Sequence, residues 1–201
     1  IFPAGTGNSL AREVGIPCDW TQAAQLLCSL ESCLGLDAMR MGEKYYFLRI
    51  GAGLDAEAIQ ETSREQKRFL GRWAYFKSFL SKLFRRRRLW AVQVFVANGG
   101  SMALVPFRIG PGIRLHDGIL NVCAYDALNW WDYLTVGWKL FRRDYHNQPL
   151  LKFWPVRYSV RIEANPSVPV QGDGEPRTHT PVLVEVVPEA VQVISPRGTH
   201  S

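Results

Sequence analysis

Three short stretches hold the residues with the most chemical reach. VQGDGEP sets Asp173 and Glu175 on either side of Gly174 in a turn closed by Pro176, and LHDGIL sets Asp117 before a glycine at the entrance of a strand. An Asp-Gly pair alone is commonly no more than a hairpin turn. Two carboxylates one glycine apart can do more: in a turn they can face one cleft, one near a cation and the other free to accept a proton from a hydroxyl. The third stretch, PAGTGN, places Gly5 and Gly7 around Thr6 and ends on Asn8, which can cap the helix that follows. Unpaired amides and a helix dipole at such a loop favour an anion.

Other chemistries lack their residues. There is no G-x-x-x-x-G-K-[ST] loop, no HExxH and no GxSxG, and His116, His146, His179 and His200 are scattered along the chain. GAGLDA, from Gly51 to Ala56, follows a strand and matches half of a dinucleotide fingerprint, but the expected second strand and acidic residue are replaced by a basic helix. Cys18, Cys28, Cys33 and Cys123 form no CxxC pair and have no histidine at metal-ligand spacing, which predicts reduced core thiols in a cytoplasmic protein.

The elements that must position these residues divide into two parts. Asn8 heads a short helix over 9–14 that ends at Gly15 and Pro17. Asp19 with Gln22 forms a capping box, and Ala23, Leu26, Leu27 and Leu30 recur at helical spacing up to Gly35. From Tyr45 the pattern changes to short strands: YYFLRI, LWAVQVFVAN, ALVPFRI, GILNVCAY, VRYSVRIEA, VPVQG and PVLVEVV, separated by Gly, Pro, Asn and Asp turns. The expected class is α+β: an antiparallel β-sandwich with inserted helices over 42–201, preceded over 1–41 by the helical remnant of an α/β domain.

Two helices interrupt the strands. In REQKRFLGRWAYFKSFLSKLFRRRR, Phe69, Trp73, Phe76, Leu80 and Leu83 fall on one stripe, and the segment ends in Arg85 to Arg88. Such a helix either lies in a membrane interface or packs on the sheet with its arginines exposed. NWWDYLTVGWKLFRR has the same ambiguity: Trp130, Trp131 and Trp138 suit interfacial anchors, although core packing is the commoner use of tryptophan.

The 201 residues carry 24 Lys plus Arg against 18 Asp plus Glu, a net charge of +6 that favours anionic partners. No run of about 18 apolar residues crosses a bilayer. The chain starts inside the PAGTGN loop and without a methionine, so an upstream portion is expected.

Taken in order, PAGTGNSLAREVGIP, RIGAGLDAEA, LGRWAYFKSFLSKL, VANGGSMALVPFRIGPG, HDGILNV and VQGDGEP resemble the diacylglycerol kinase catalytic family, which includes bacterial lipid kinases and sphingosine kinases. The resemblance implies an α/β nucleotide-binding domain followed by a β-sandwich, with the active site between them. It implies ATP contacts from Gly5, Thr6, Gly7 and Asn8, and a DGE motif at Asp173, Gly174 and Glu175 with Glu175 as general base. It also implies a Mg²⁺ held by the Asp117 carboxylate and the carbonyls of Arg114 and Ile119. The function implied is transfer of the ATP γ-phosphate to a hydroxyl of diacylglycerol or a related lipid, by a cytoplasmic protein peripherally associated with a membrane. A sphingoid-base kinase and a non-catalytic lipid-binding module are the alternatives. A second copy of the chain is a candidate partner, and nucleic acid is not expected. The family's GGDGT loop does not occur in these residues, so the chain alone is expected to be inactive. Gly172, where the family more often has an apolar residue, is expected to loosen the turn.

Overall fold

The strand pairings explain which alternating segments succeed. The computed structural model describes residues 1–5, 7–29, 32–53, 56, 91–100, 108–127, 130–142, 144–145 and 150–196. Thr6, the basic helix over 64–88 and most of ALVPFRI lie outside the described residues, as does the Trp130 side chain. A four-stranded sheet joins β1 (Ser32–Met41), β2 (Lys44–Tyr46), β7 (Ser159–Ile162) and β10 (Val182–Ser195) in the order β2-β1-β10-β7. A six-stranded sheet joins β3 (Arg49–Ala52), β4 (Ala91–Ala97), β5 (Leu120–Ala127), β6 (Leu151–Val156), β8 (Pro169–Gly172) and β9 (Glu175–His179) in the order β6-β5-β4-β3-β8-β9. All pairings are antiparallel.

Alternation sends one set of side chains between the sheets, where Met39, Tyr46, Ile50, Val96, Leu120, Val170 and Val184 form the sandwich core. Full burial of each large aliphatic contributes about 1.5–3 kcal/mol. The other faces are covered by helices. α1 (Ser9–Glu13) and α2 (Trp20–Ser29) bury Ala11, Val14, Ala23 and Leu26 with Leu34, Leu36 and Val193 of the four-stranded sheet. α3 (Trp130–Arg142) sets Val136 and Leu140 on Phe95, Cys123 and Tyr125 of the six-stranded sheet.

Three local expectations change. The helix read as far as Gly35 stops at Ser29, because Ser32 to Leu36 pair with Ser195 to Val191 of β10. Long-range ladder bonds there outweigh the helical spacing of the leucines. Residues 32–41 are thus part of the sandwich, and Gly42 sits at a left-handed φ of 62° in the turn between β1 and β2, inside one sheet. YYFLRI is not one strand: Tyr46 ends β2 in one sheet and Arg49 begins β3 in the other. The thiols also differ from expectation, since Cys123 is buried whereas Cys18, Cys28 and Cys33 are exposed.

Candidate active site

The turn between β8 and β9 is built around Asp173. Its φ of 49° and that of Gly174, 84°, lie in the left-handed region, which turns the chain so that Gly172 pairs with Glu175. The Asp173 carboxylate, though exposed, faces the 47–49 backbone and accepts three N–H bonds from it, from Phe47 at 2.8 Å, Leu48 at 3.0 Å and Arg49 at 2.9 Å. Its own N–H donates to the Arg49 carbonyl at 2.9 Å. This carboxylate therefore clamps the crossing from β2 to β3, and it interrupts YYFLRI by taking the amides a continuous strand would need. Gly174 N–H donates to Gln171 Oε1 at 2.8 Å, which closes the turn from the other side.

Glu175 has a different partner. Its side chain is 55% exposed and ion-paired with Arg177 on the same strand. The Arg177 guanidinium lies 5.7 Å from the centre of the Tyr46 ring. Burial pushes the Tyr46 phenol above its ordinary pKa; Asp173 and Glu175 push it the same way, against the opposing effect of Arg177. Tyr46 and Arg177 also line a cleft of about 610 Å³ between the β1–β2 turn and the start of β10. The sequence-predicted pair thus separates by role: Asp173 holds the backbone, and Glu175 presents an exposed carboxylate paired with Arg177, which lines the cleft.

Gly172 does not loosen this turn. A Cβ there would lie 2.2 Å from Tyr46 Cε1, so the tyrosine ring occupies the volume of the missing side chain. Both residues are buried, Tyr46 at 3% exposure.

The turn containing Asp117 is held from inside by a residue the sequence reading passed over. Asp37 of β1, 1% exposed, accepts the Gly118 N–H at 2.6 Å on Oδ2 and the Glu189 N–H at 2.9 Å on Oδ1. Glu189 has a φ of 46° where the β1–β10 register shifts, so the carboxylate fills a bulge. Asp117 itself is exposed and accepts the Ile119 N–H at 3.0 Å. Among the described residues, the Ile113 and Leu115 carbonyls accept from Arg108 Nη2 and Asp37 N–H, whereas those of Arg114 and Ile119 accept nothing. One exposed carboxylate and two uncommitted carbonyls in a single turn fit the oxygen preference of a hard cation.

Asn98 links the two turns. Fully buried, it donates from Nδ2 to the Asp37 carbonyl at 2.8 Å and the Phe47 carbonyl at 3.0 Å. Its N–H and that of Gly99 both donate to the Leu48 carbonyl at 2.9 Å. The only sequence signal for Asp37 is a carboxylate within the largely apolar run Leu34 to Met39; for Asn98 it is an amide before two glycines at a strand end.

In the PAGTGN loop, Asn8 folds back instead of capping. It adopts a left-handed φ of 46° and makes no side-chain bond to α1; Oδ1 accepts the Gly5 N–H at 2.8 Å and Nδ2 donates to the Pro3 carbonyl at 3.1 Å. Trp20 Nε1 donates to the same carbonyl at 3.2 Å. Gly5 and Asn8 are therefore in contact, with Gly7 between them in sequence and Thr6 outside the described residues. α1 reaches the 98–100 segment through Glu13, whose Oε1 accepts the Gly100 N–H at 2.9 Å. Contacts thus run from α1 through 98–100 and 47–49 to Asp173.

Residues 49–195 match the family described as the YegS C-terminal NAD kinase beta sandwich-like domain. The chain belongs to this family. Among curated relatives, a protein of Shewanella frigidimarina named "Probable lipid kinase YegS-like" is 23% identical over 98% of the chain and 66% of its own length. A Staphylococcus carnosus protein named "Diacylglycerol kinase" is 22% identical over 100% of the chain and 69% of its own length. A crystal structure of a diacylglycerol kinase from Bacillus anthracis strain Sterne superposes with a TM-score of 0.71 at 19% identity, covering 96% of this chain and 67% of that one. The chain spans about two thirds of the length of these relatives. This YegS-type sandwich is related to lipid kinases, and its two sheets follow the architecture that the sequence led one to expect.

Proposed function

We propose that the YegS-type chain forms part of an ATP- and Mg²⁺-dependent lipid kinase acting on a hydroxyl of diacylglycerol or a related lipid. The observation that carries this reading is the division of labour in the DGE turn. Asp173 fixes the turn by three backbone N–H bonds, so the adjacent Glu175 is held with its carboxylate on Arg177, a residue that lines a cleft. Glu175 would accept the hydroxyl proton at a carboxylate oxygen once Arg177 shifts toward the Tyr46 ring, and general-base help of this kind is worth typically ~10²–10⁴-fold. Asp117, with the carbonyls of Arg114 and Ile119, would hold a Mg²⁺ that rigidifies the turn above Asp37. Gly5, Thr6, Gly7 and Asn8 would meet the nucleotide, which supplies the phosphoryl group when bound.

A membrane partner suits the surface. On α3, Trp131, Leu134, Trp138 and Phe141 are each more than half exposed, in contrast with the core packing that is commoner for tryptophan, and Lys139 and Arg142 lie in the last turn. Amphipathic aromatic and basic residues together fit a lipid interface. Among the described residues no helix is long and apolar enough to cross a membrane.

The test is Glu175→Gln in the complete gene product, assayed with diacylglycerol vesicles and labelled ATP. Transfer should fall at least 100-fold, about the lower end of general-base contributions, with the fold unchanged. Retained transfer removes Glu175 from the role of base. The Glu175–Arg177 ion pair favours one competing reading, a lipid-binding module without transfer. That module would bind the vesicles with no transfer even in the unmodified protein.

A further inference from the structure

A second constellation lies at the C-terminal end of α1 and shares no lining residue with the Asp173–Glu175 turn. Arg12 from α1 and Arg108, Arg114 and His116 from the segment before β5 surround a cleft of about 220 Å³. Its floor is apolar, formed by Val14, Ile113 and Leu115, each no more than 4% exposed.

Charge in this cleft is unbalanced by design of the contacts. Glu13 is the one carboxylate lining it among the described residues, and its Oε1 is already committed to the Gly100 N–H at 2.9 Å and to Arg108 Nη2 at 3.3 Å. Arg108 Nη2 also donates to the Ile113 carbonyl at 3.0 Å. A Cβ on Gly100 would stand 2.6 Å from the same nitrogen, so glycine is what lets the guanidinium lie against the backbone. Arg108 is thus a fixed wall of the cleft. Among the described residues Arg12 Nε reaches only Cys18 Sγ, at 3.5 Å, and neither Arg12 nor Arg114 has a carboxylate partner.

Three guanidinium groups and one imidazole around a small cavity call for an oxyanion, because the planar guanidinium fork matches phosphate oxygens pairwise. The volume is below the ~300–1,000 Å³ of ordinary small-molecule pockets, which limits the ligand to a compact group. We propose that the cleft between α1 and the 108–116 segment is an anion site that takes a phosphate or diphosphate group. The inference is independent of the kinase reading: loss of the Glu175 role leaves it untouched.

The group has two sources, a free phosphate or a phospholipid headgroup, and two probes separate them. The 201-residue chain is titrated calorimetrically with pyrophosphate. In parallel it is sedimented with vesicles of phosphatidylcholine, with and without phosphatidylglycerol. Arg12→Gln/Arg114→Gln is compared with Lys152→Gln/Arg157→Gln, which removes the same charge from exposed positions elsewhere. Circular dichroism checks that both variants remain folded. Pyrophosphate binding at least tenfold weaker in the first variant, and unchanged in the second, establishes a site for the free anion. Silence toward pyrophosphate with a tenfold selective loss of phosphatidylglycerol binding establishes a headgroup site. Equal behaviour of the two variants toward both probes, or no saturable binding to either, overturns the proposal.

Discussion

Substitution of Gly172 by alanine tests the interlock between the DGE turn and Tyr46. An added Cβ would sit 2.2 Å from Tyr46 Cε1 and 2.4 Å from Cδ1. Carbon atoms rest at about 3.5–4.0 Å, so the ring must retreat by about 1.3 Å or more. Retreat displaces Tyr46 from the sandwich core and drags the following amides of 47–49 off Asp173. Overpacking of this kind destabilises by about 1–3 kcal/mol, and the linked backbone bonds put this site toward the upper end. For a chain of this size the Tm should fall by roughly 5–10 °C. Calorimetry of the single variant gives the loss; the decisive step repeats Gly172→Ala in a Tyr46→Leu background. With the ring gone, alanine is accommodated and is neutral or stabilising by ~0.4–1 kcal/mol, since it restricts the unfolded chain and Gly172 is not in a left-handed conformation. Equal losses in both backgrounds would refute the interlock and return Gly172 to the role of a loose turn residue.

The remaining predictions concern the same elements. Asp173→Ala should lower stability by about 3 kcal/mol by orphaning three amides, whereas Glu175→Ala, which removes only an exposed ion pair, should change it by less than ~1 kcal/mol; urea melts of the two compare them directly. Burial raises the Cys123 thiol from 9.0 to about 12, so the folded state favours the protonated form. That contribution is complete below pH 9.0 and is lost as pH rises toward about 12. In this window stability should fall by up to ~1.4 kcal/mol per pH unit more in the parent than in Cys123→Ala, as measured by denaturant melts at stepped pH. Under native conditions a thiol reagent should titrate Cys18, Cys28 and Cys33 promptly and Cys123 only after unfolding. Trp138→Ser on the exposed face of α3 should weaken vesicle sedimentation several-fold and leave the thermal melt nearly unchanged.

Legibility from sequence followed the range of the interactions. β4, β5 and β8 were readable because alternation is local and turn residues bracket them. β1 was not: its leucines continue the spacing of α2, and only pairing with β10, far along the chain, makes it a strand. The DGE turn was visible as a motif, yet the backbone-holding role of Asp173 depends on where 47–49 arrive, which no spacing within VQGDGEP reveals. Asp37 and Asn98 were missed for the same reason, since a lone polar residue in an apolar stretch reads as noise until its partners converge. Asn8 misled in the opposite direction: a good cap by type, it is drawn into closing its own loop.

One antiparallel partner of β1 is β10, far along the chain, with Ser32 opposite Ser195 and Arg40 opposite Glu185. Among the described residues β10 is also the only neighbour of β7, so the β1–β2 pair and β7 are joined through β10 alone. During synthesis at ~5–20 residues per second, β1 must wait on the order of ten seconds for its partner. Through that interval β1 has β2 on one side, but its other edge, from Ser32 to Arg40, lacks its ladder partner. A ribosome that stalls before Val182 therefore releases a chain with a long unpaired apolar edge, a substrate for chaperones and for other copies of itself. In this sense β10 gates the four-stranded sheet: β1 and β7 are joined only once Val182–Ser195 has been made.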